Sequence, residues 1–435
     1  MKSSYKYFKA VLFFAATLLL FPACSMLMPP PPLVTAASQG HADQVRNLLS
    51  RGSDIEASDA KGATPLFVAV CNNRTDIAKQ LVDAGANVNA GVRKPYECNK
   101  KHLAPGVTPL MAALANGNED IALLLLKHGA EVTAVDENRA GPLVYAALSG
   151  TPKTIRAIIR HKANINARVK KGFEYEKEPI FEGFTPLMCA LQLKRIKNAK
   201  TLIDLGADVK IKCKNGIDAV LIAAYKGESE MVRLLLAKGA DTKSALTRDL
   251  MVGKRAVFKG DNALMAAADA GDAESIAALV KAGAPVNDGD ENNVTPLMVA
   301  SIKGNLSAVK MLVSLGADVN ARTINTFHIG QDLIPEGTPV LSFAALGGHP
   351  KTIRFLLEQG AKVNVKDNLF EMDPLFLAAY NNHYWAVKIL IEHGADVFAV
   401  SKMGTALNAA RHWRNEEMAK LIEDARKKAR SESKQ

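Results

Sequence analysis

The chain has 435 residues, 48% of them apolar, a formal net charge of +11 and five cysteines. That length suits about three ordinary domains or one long repeat array, and the apolar content is enough for a continuous core. The charge favours acidic proteins, anionic lipid surfaces or nucleic acid without choosing among them.

The first feature in chain order is an export leader. Lys2, Lys6 and Lys9 make a basic n-region, and residues 10–21, AVLFFAATLLLF, make an apolar run too short for an ordinary membrane span. Leu20-Phe21-Pro22-Ala23-Cys24 then resembles the cleavage box of bacterial lipoproteins, although that family prefers smaller residues where Phe21 and Pro22 stand. The resemblance implies a signal peptide over 1–23 and lipid on Cys24. The mature chain would be held on the outer or cytoplasmic membrane of a bacterial cell envelope, on its periplasmic or surface side. Ordinary signal cleavage, giving a soluble periplasmic or secreted protein, and an uncleaved anchor are the alternatives. Residues 24–38, with Pro29 to Pro32 in a row, read as a tether between lipid and folded domain.

Residues 39–52 read as a lone second helix closing the array. A phrase then recurs in ten copies, among them Thr64-Pro65-Leu66, Thr108-Pro109-Leu110, Thr185-Pro186-Leu187 and Thr295-Pro296-Leu297. About twenty residues after most copies comes a second phrase, as in Gly85-Ala86-Asn87-Val88-Asn89 and Gly316-Ala317-Asp318-Val319-Asn320. Two short amphipathic segments lie between them. This resembles the ankyrin family, whose unit is a β-turn and two antiparallel helices. The resemblance covers 39–425 and implies an all-α repeat solenoid, a half-repeat plus ten repeats, the last a cap. Thr caps the first helix and Pro occupies its first turn. Small pairs such as Ala112-Ala113 let helices approach, pairs such as Leu312-Val313 fill the seam, and Gly ends the second helix in a left-handed cap. Arg411, Arg414, Glu416, Glu417 and Lys420 fall on the solvent face of the cap, and 426–435 reads as a charged, fraying tail.

The spacing alternates. Pro65 to Pro109 and Pro142 to Pro186 are 44 residues, while Pro109 to Pro142 is 33. The extra residues enter where the family carries its β-hairpin finger, at 91–106, 168–183, 243–260 and 322–337. Insertions in repeat proteins map to one face, often the binding face, and aromatic and basic residues in these loops fit interface anchors. Arg93, Lys94, Tyr96, Lys101, Phe173, Tyr175, Phe181, Lys254, Arg255, Phe258 and Phe327 are therefore the expected contacts, on a concave surface of fingers and first helices. The partner expected there is a protein with acidic patches. In the alternative, the fingers only lengthen the sheet and pack on each other, and the chain is a structural or assembly part of the envelope.

No catalytic motif stands out: there is no HExxH, phosphate loop, G-x-S-x-G or CxxC. An enzyme hidden in the fingers is the remote alternative, and no cofactor or metal is implied. His128, His161 and His393 precede the ends of second helices, where a helix C-terminus favours them. Trp385 and Trp413 read as equivalent residues between the two helices of their copies. Cys71 and Cys189 read as small buried hydrophobes and Cys98 as a loop residue, with no pairing fixed. Lys and Arg are spread along the chain instead of forming one aromatic-interleaved stripe, which argues against nucleic acid.

Overall fold

The computed structural model describes residues 29–252, 255–257, 259–329 and 332–433, with backbone only for 250–252 and 255–257. The leader and Cys24 lie outside the described residues, as do Lys254 and Phe258. Contacts divide the chain into two compact units, up to Glu131 and from Val132 onward.

The first unit holds three helix pairs: α1 Pro32–Gln39 with α2 Ala42–Ser50, α3 Pro65–Cys71 with α4 Thr75–Asp83, and α5 Pro109–Ala115 with α6 Glu119–Lys127. A hairpin, β1 Tyr96–Cys98 and β2 Lys101–Leu103, precedes the third pair. The second unit opens with α7 Pro142–Ser149 and α8 Pro152–Arg160, the hairpin β3 Phe173–Tyr175 and β4 Glu178–Ile180, then α9 Pro186–Gln192 and α10 Ile196–Asp204. Next come α11 Ala219–Tyr225, α12 Ser229–Ala237, the hairpin β5 Leu250–Val252 and β6 Arg255–Val257, α13 Ala263–Ala270 and α14 Ala273–Lys281. There follow α15 Pro296–Lys303, α16 Leu306–Ser314, the hairpin β7 Phe327–Ile329 and β8 Asp332–Ile334, α17 Val340–Leu346 and α18 Pro350–Glu358. The unit ends with α19 Pro374–Tyr380, α20 Tyr384–Glu392, α21 Ala406–His412 and α22 Glu416–Glu432. Each of the four hairpins is a separate two-stranded sheet. Within each unit the pairs stack, first helix on first helix and second on second, so the fold is an all-helical repeat.

The recurring phrases do the expected local work. The hydroxyls of Thr64, Thr108, Thr185 and Thr295 each accept the N–H three residues on, and Asp218, Asn262 and Asp373 do so where Thr is absent. Thr338 is the exception: its hydroxyl donates to the Pro335 carbonyl at 2.7 Å, and the helix starts two residues later. The second phrase has a role the pattern alone does not disclose. Asn320 Nδ2 donates to the Gly360 carbonyl at 3.2 Å while its Oδ1 accepts the Lys362 N–H at 3.0 Å, tying one repeat to the next. Asn89, Asn287 and Asn364 make the same two-point bridge. The seam residues Leu81, Leu125, Leu312 and Leu390 are fully buried, each contributing about 1.5–3 kcal/mol by removal from water.

Both ends differ from expectation. Residues 32–39 form a helix with Leu33, Val34, Ala36 and Ala37 buried, so the array begins with a full pair inside the segment assigned to the tether. Pro32 sits in the first turn, where its missing N–H costs nothing, and α1 packs on α3. At the other end α22 runs through Glu432, so residues 426–432 are helical. Arg426 Nε donates to the Val397 carbonyl at 2.7 Å, which anchors the segment read as a fraying tail.

Candidate functional site

The long insertions are the natural place to look for a site, and three of them are described with side chains. Each begins by bridging to the turn before it: the N–H groups of Arg93, Lys170 and Ile324 donate to the carbonyls of Lys61, Asn138 and Asn292. In those preceding turns Asp59, Asp136 and Asp290 accept backbone N–H groups. At the corresponding place in the hairpins stand Val92, Val169 and Thr323, all buried.

From that base the hairpins fold across the first helices. In the first, Tyr96 pairs with Leu103, Glu97 with His102 and Cys98 with Lys101. Strand alternation puts Tyr96, Cys98, Lys101 and Leu103 on the covered face and Glu97 and His102 on the open face, where those two side chains touch. Tyr96 meets Phe67 of α3 edge-to-face at 5.3 Å between ring centres. Cys98 forms a disulfide with Cys71, the last residue of α3. Lys101 Nζ donates to the Ala115 carbonyl at the end of α5, 2.5 Å away. Asn99 and Lys100 take positive φ at the two-residue turn, as such a tight hairpin requires.

The second hairpin repeats the plan. Tyr175 is buried, its hydroxyl 2.9 Å from that of Ser149 and its ring against Tyr145. Tyr145 in turn donates to Asp136 at 2.8 Å. Burial pushes the Tyr145 hydroxyl well above its ordinary range, with the nearby Asp136 carboxyl adding to the effect. Burial also raises the Asp136 carboxyl, against the hydrogen bonds it accepts. At the tip, Glu176 meets Arg195 at 2.6 Å, and Glu178 accepts from Gln192 and Lys226 at 2.8 and 2.9 Å. The acidic tip thus reaches the cationic and amide groups at the far ends of the first helices. In the fourth hairpin Phe327 and Ile329 line a cavity of about 100 Å³ with Met265, Val299, Ile302 and Phe343.

This geometry revises the expected contact set. Tyr96, Phe173, Tyr175 and Phe327 share the covered side of their strands, and Tyr175, fully packed, is withdrawn from any contact surface. Phe181 lies at the base of its hairpin against Phe184, ring centres 5.5 Å apart. Arg93 and Lys94 are exposed, Lys101 is engaged at a helix end, and Arg255 lies on strand β6. Period-two alternation within each insertion was the signal that could have separated covered from open positions. Cys71 and Cys98 are paired, while Cys189 and Cys213 are free and buried. His128, His161 and His393 each follow the last residue of a second helix.

The first-helix ends carry a second ladder. Asn305 donates to the Ala268 and Asp269 carbonyls, and His349 and His383 lie 2.9 and 3.0 Å from the Ile302 and Leu346 carbonyls. Trp413 Nε1 closes the series on the Tyr380 carbonyl. These bonds satisfy helix-terminal carbonyls that have no intrahelical partner. Trp413 is therefore the residue after its first helix, whereas Trp385 lies in the first turn of its second helix, so the two are not equivalent. Tyr380, Trp385 and Trp413 are 48%, 62% and 50% exposed. Among the described residues no group of His, Cys, Asp or Glu has metal-site geometry, and no helix is long and apolar enough to cross a membrane.

Comparison with known proteins agrees with this architecture. The family model for ankyrin repeats in three copies matches residues 15–92, 92–169, 136–213, 169–245, 221–323 and 328–431. A putative ankyrin repeat protein of Escherichia coli, YahD, is 24% identical over 211 residues, 47% of this chain and 94% of that protein. The ARF GTPase-activating protein Git of Drosophila melanogaster is 38% identical over 74 residues, 16% of this chain and 10% of Git. The human transient receptor potential cation channel subfamily A member 1 is 24% identical over 205 residues, 46% of this chain and 17% of the channel. The matched segments thus span a fifth or less of the last two proteins.

Proposed function

The chain belongs to the ankyrin-repeat family, and from that premise we propose that it is an exported, membrane-anchored scaffold that binds a protein partner. Ankyrin repeats generally serve as protein-binding modules without enzymatic activity. The observation that carries the binding reading is the set of large aromatic side chains left in water on the last two pairs, Tyr380, Trp385 and Trp413. Terminal repeats ordinarily present a polar outer face, and exposed aromatics are the residues that anchor interfaces.

Export is supported by the basic n-region, the apolar run and Cys24 in its box-like context. It is also supported by the Cys71–Cys98 bond, because disulfides persist in oxidising compartments. The second reading, a structural envelope component, is favoured for the first, second and fourth fingers, whose described aromatic residues lie on the covered side of their strands.

Two measurements test the proposal. Photo-crosslinking from positions 380 and 413 in the native envelope should trap a defined protein, and a clean lane from both would refute the binding surface. Intact-mass analysis should find an N-terminal diacylglycerol-cysteine at Cys24, and an intact Met1 would refute cleavage and lipidation there. Deleting 243–260 separates the two readings of the fingers: lost capture with an unchanged melting temperature means contact, and retained capture with a lower one means packing.

A further inference from the structure

The second and fourth hairpins each lie over the first helix before them, α7 and α15, but the space between is filled differently. The fourth residue after the cap Gly141 of α7 is Tyr145, and the fourth after the cap Thr295 of α15 is Val299. The last residue of β3 is Tyr175, and the last of β7 is Ile329. Where the second hairpin and its helix contribute two tyrosines, the fourth and its helix contribute a valine and an isoleucine. Both helices have eight residues and begin with Pro-Leu, so the change in side-chain volume is not made up by the backbone.

The missing volume is left open. Tyr145, Leu148 and Tyr175 are buried, whereas their counterparts Val299, Ile302 and Ile329 are only half-buried. These three line the cavity of about 100 Å³ together with Phe327, Met265 of α13 and Phe343 of α17. A closed apolar cavity of about 150 Å³ admits a whole benzene ring. This smaller one, open on the side of its half-buried residues, suits a ring inserted edge-first from outside.

A polar contact completes the likeness. Asp136, in the turn before α7, accepts the N–H groups of Asn138 and Ala140 through Oδ1 and the Tyr145 hydroxyl through Oδ2. Asp290, in the turn before α15, accepts the N–H groups of Asn292 and Val294 through Oδ1 in the same way, and it lines the cavity. With Val299 in the place of Tyr145, α15 supplies no hydroxyl to it. The other two carboxylates of the cavity are engaged: Asp261 takes the Tyr225 hydroxyl at 3.1 Å, and Asp269 meets Lys303 at 3.4 Å.

We propose that the cavity beneath the fourth hairpin binds the phenol ring of a tyrosine side chain from a partner protein, with the tyrosine hydroxyl donating to Asp290. This rests on the scaffold reading and names the anchor its partner supplies. The precedent is inside the chain: at the equivalent place in the second module, a tyrosine lies against the same hairpin face and gives its hydroxyl to the same turn aspartate. The apolar walls accept the ring, and Asp290 distinguishes tyrosine from phenylalanine. Tyrosine, with an apolar body and a polar tip, is a frequent interface anchor.

Met265 provides a local reporter. N-acetyl-tyrosine amide would be titrated into the full chain carrying ¹³C-methyl methionine, with the Met265 signal assigned from Met265→Leu. A ring entering the cavity should shift that methyl saturably and leave Met418, in α22, where it was. N-acetyl-phenylalanine amide should bind about tenfold more weakly, the loss of one hydrogen bond to a carboxylate. Val299→Tyr, which restores the residue of α7, should abolish the shift in a chain that melts no lower than the parent. If that variant melts lower, Ile329→Phe, which fills the cavity from the hairpin side, serves instead. An unmoved Met265 methyl, equal binding of the two amides, or binding that survives a filled cavity would overturn the proposal. So would a phenolic small molecule released on denaturing the chain isolated from its native envelope, because the occupant would then be free and not a partner's side chain. Partner capture from position 380 that Val299→Tyr leaves unchanged would overturn this proposal while leaving the scaffold reading intact.

Discussion

The disulfide between Cys71 and Cys98 gives the sharpest quantitative expectation. The bond closes a loop with a sequence separation of 27 and pins the first hairpin to the end of α3. On the chain-entropy account, closing a loop of that length stabilises the folded state by about 3.5 kcal/mol. The perturbation is the pair of changes Cys71→Ala and Cys98→Ala, which removes the cross-link together with two sulfurs from almost wholly covered sites. Tryptophan fluorescence cannot report the effect, because Trp385 and Trp413 lie in the other compact unit. Amide hydrogen exchange over residues 60–115 can. If opening of the hairpin limits exchange at β1 and β2, their amides should exchange about two to three orders of magnitude faster in the variant. Residues 374–432 serve as the unchanged internal reference. A change below about tenfold would refute the assignment of the hairpin's stability to the bond. Free thiols at both positions in protein taken from its native compartment would refute the bond itself.

Three further expectations follow from the packing. Tyr175→Phe removes the hydroxyl, with its contact to Ser149, and should cost about 1 kcal/mol in urea unfolding, whereas Tyr175→Ala should cost about 3–5 kcal/mol; equal costs would show that the ring is not packed. Gly348 has φ of 68° and the His383 ring lies where a side chain would begin, so Gly348→Ala should cost about 1–3 kcal/mol and disturb the His383 contact with the Leu346 carbonyl; a neutral result would refute the tight stacking. Burial holds the Asp136 carboxyl above its ordinary value, so the folded state binds this proton more tightly than the unfolded one. Its contribution is fully present below the unfolded pKa and is lost as pH rises through the folded one. Asp136→Asn should therefore compare best with the parent at neutral pH and lose ground on acidification, read as urea midpoints against pH; a gain on acidification would reverse the sign.

Much of the fold was legible because its signals are local. Thr-Pro at a helix start, Gly at a helix end and adjacent aliphatic pairs such as Leu312-Val313 act within a few residues, and they gave the helix pairs and the position of each insertion. The same logic failed at α1, whose Pro32-Leu33-Val34 start was hidden inside a proline run. It also missed the extension of the last helix, which is held by the reach of Arg426 to Val397.

What the sequence determined by itself was a series of helix pairs with an insertion at every second junction, since each phrase carries its own caps and periodicity. The tertiary structure alone decided which side of each hairpin is shut against the helices, that Cys98 finds Cys71, and that Tyr380 and Trp413 stay open. The physical reason is that a strand of alternating residues has two faces of its own, but which of them meets water depends on what lies beneath it, and that is supplied by helices tens of residues away.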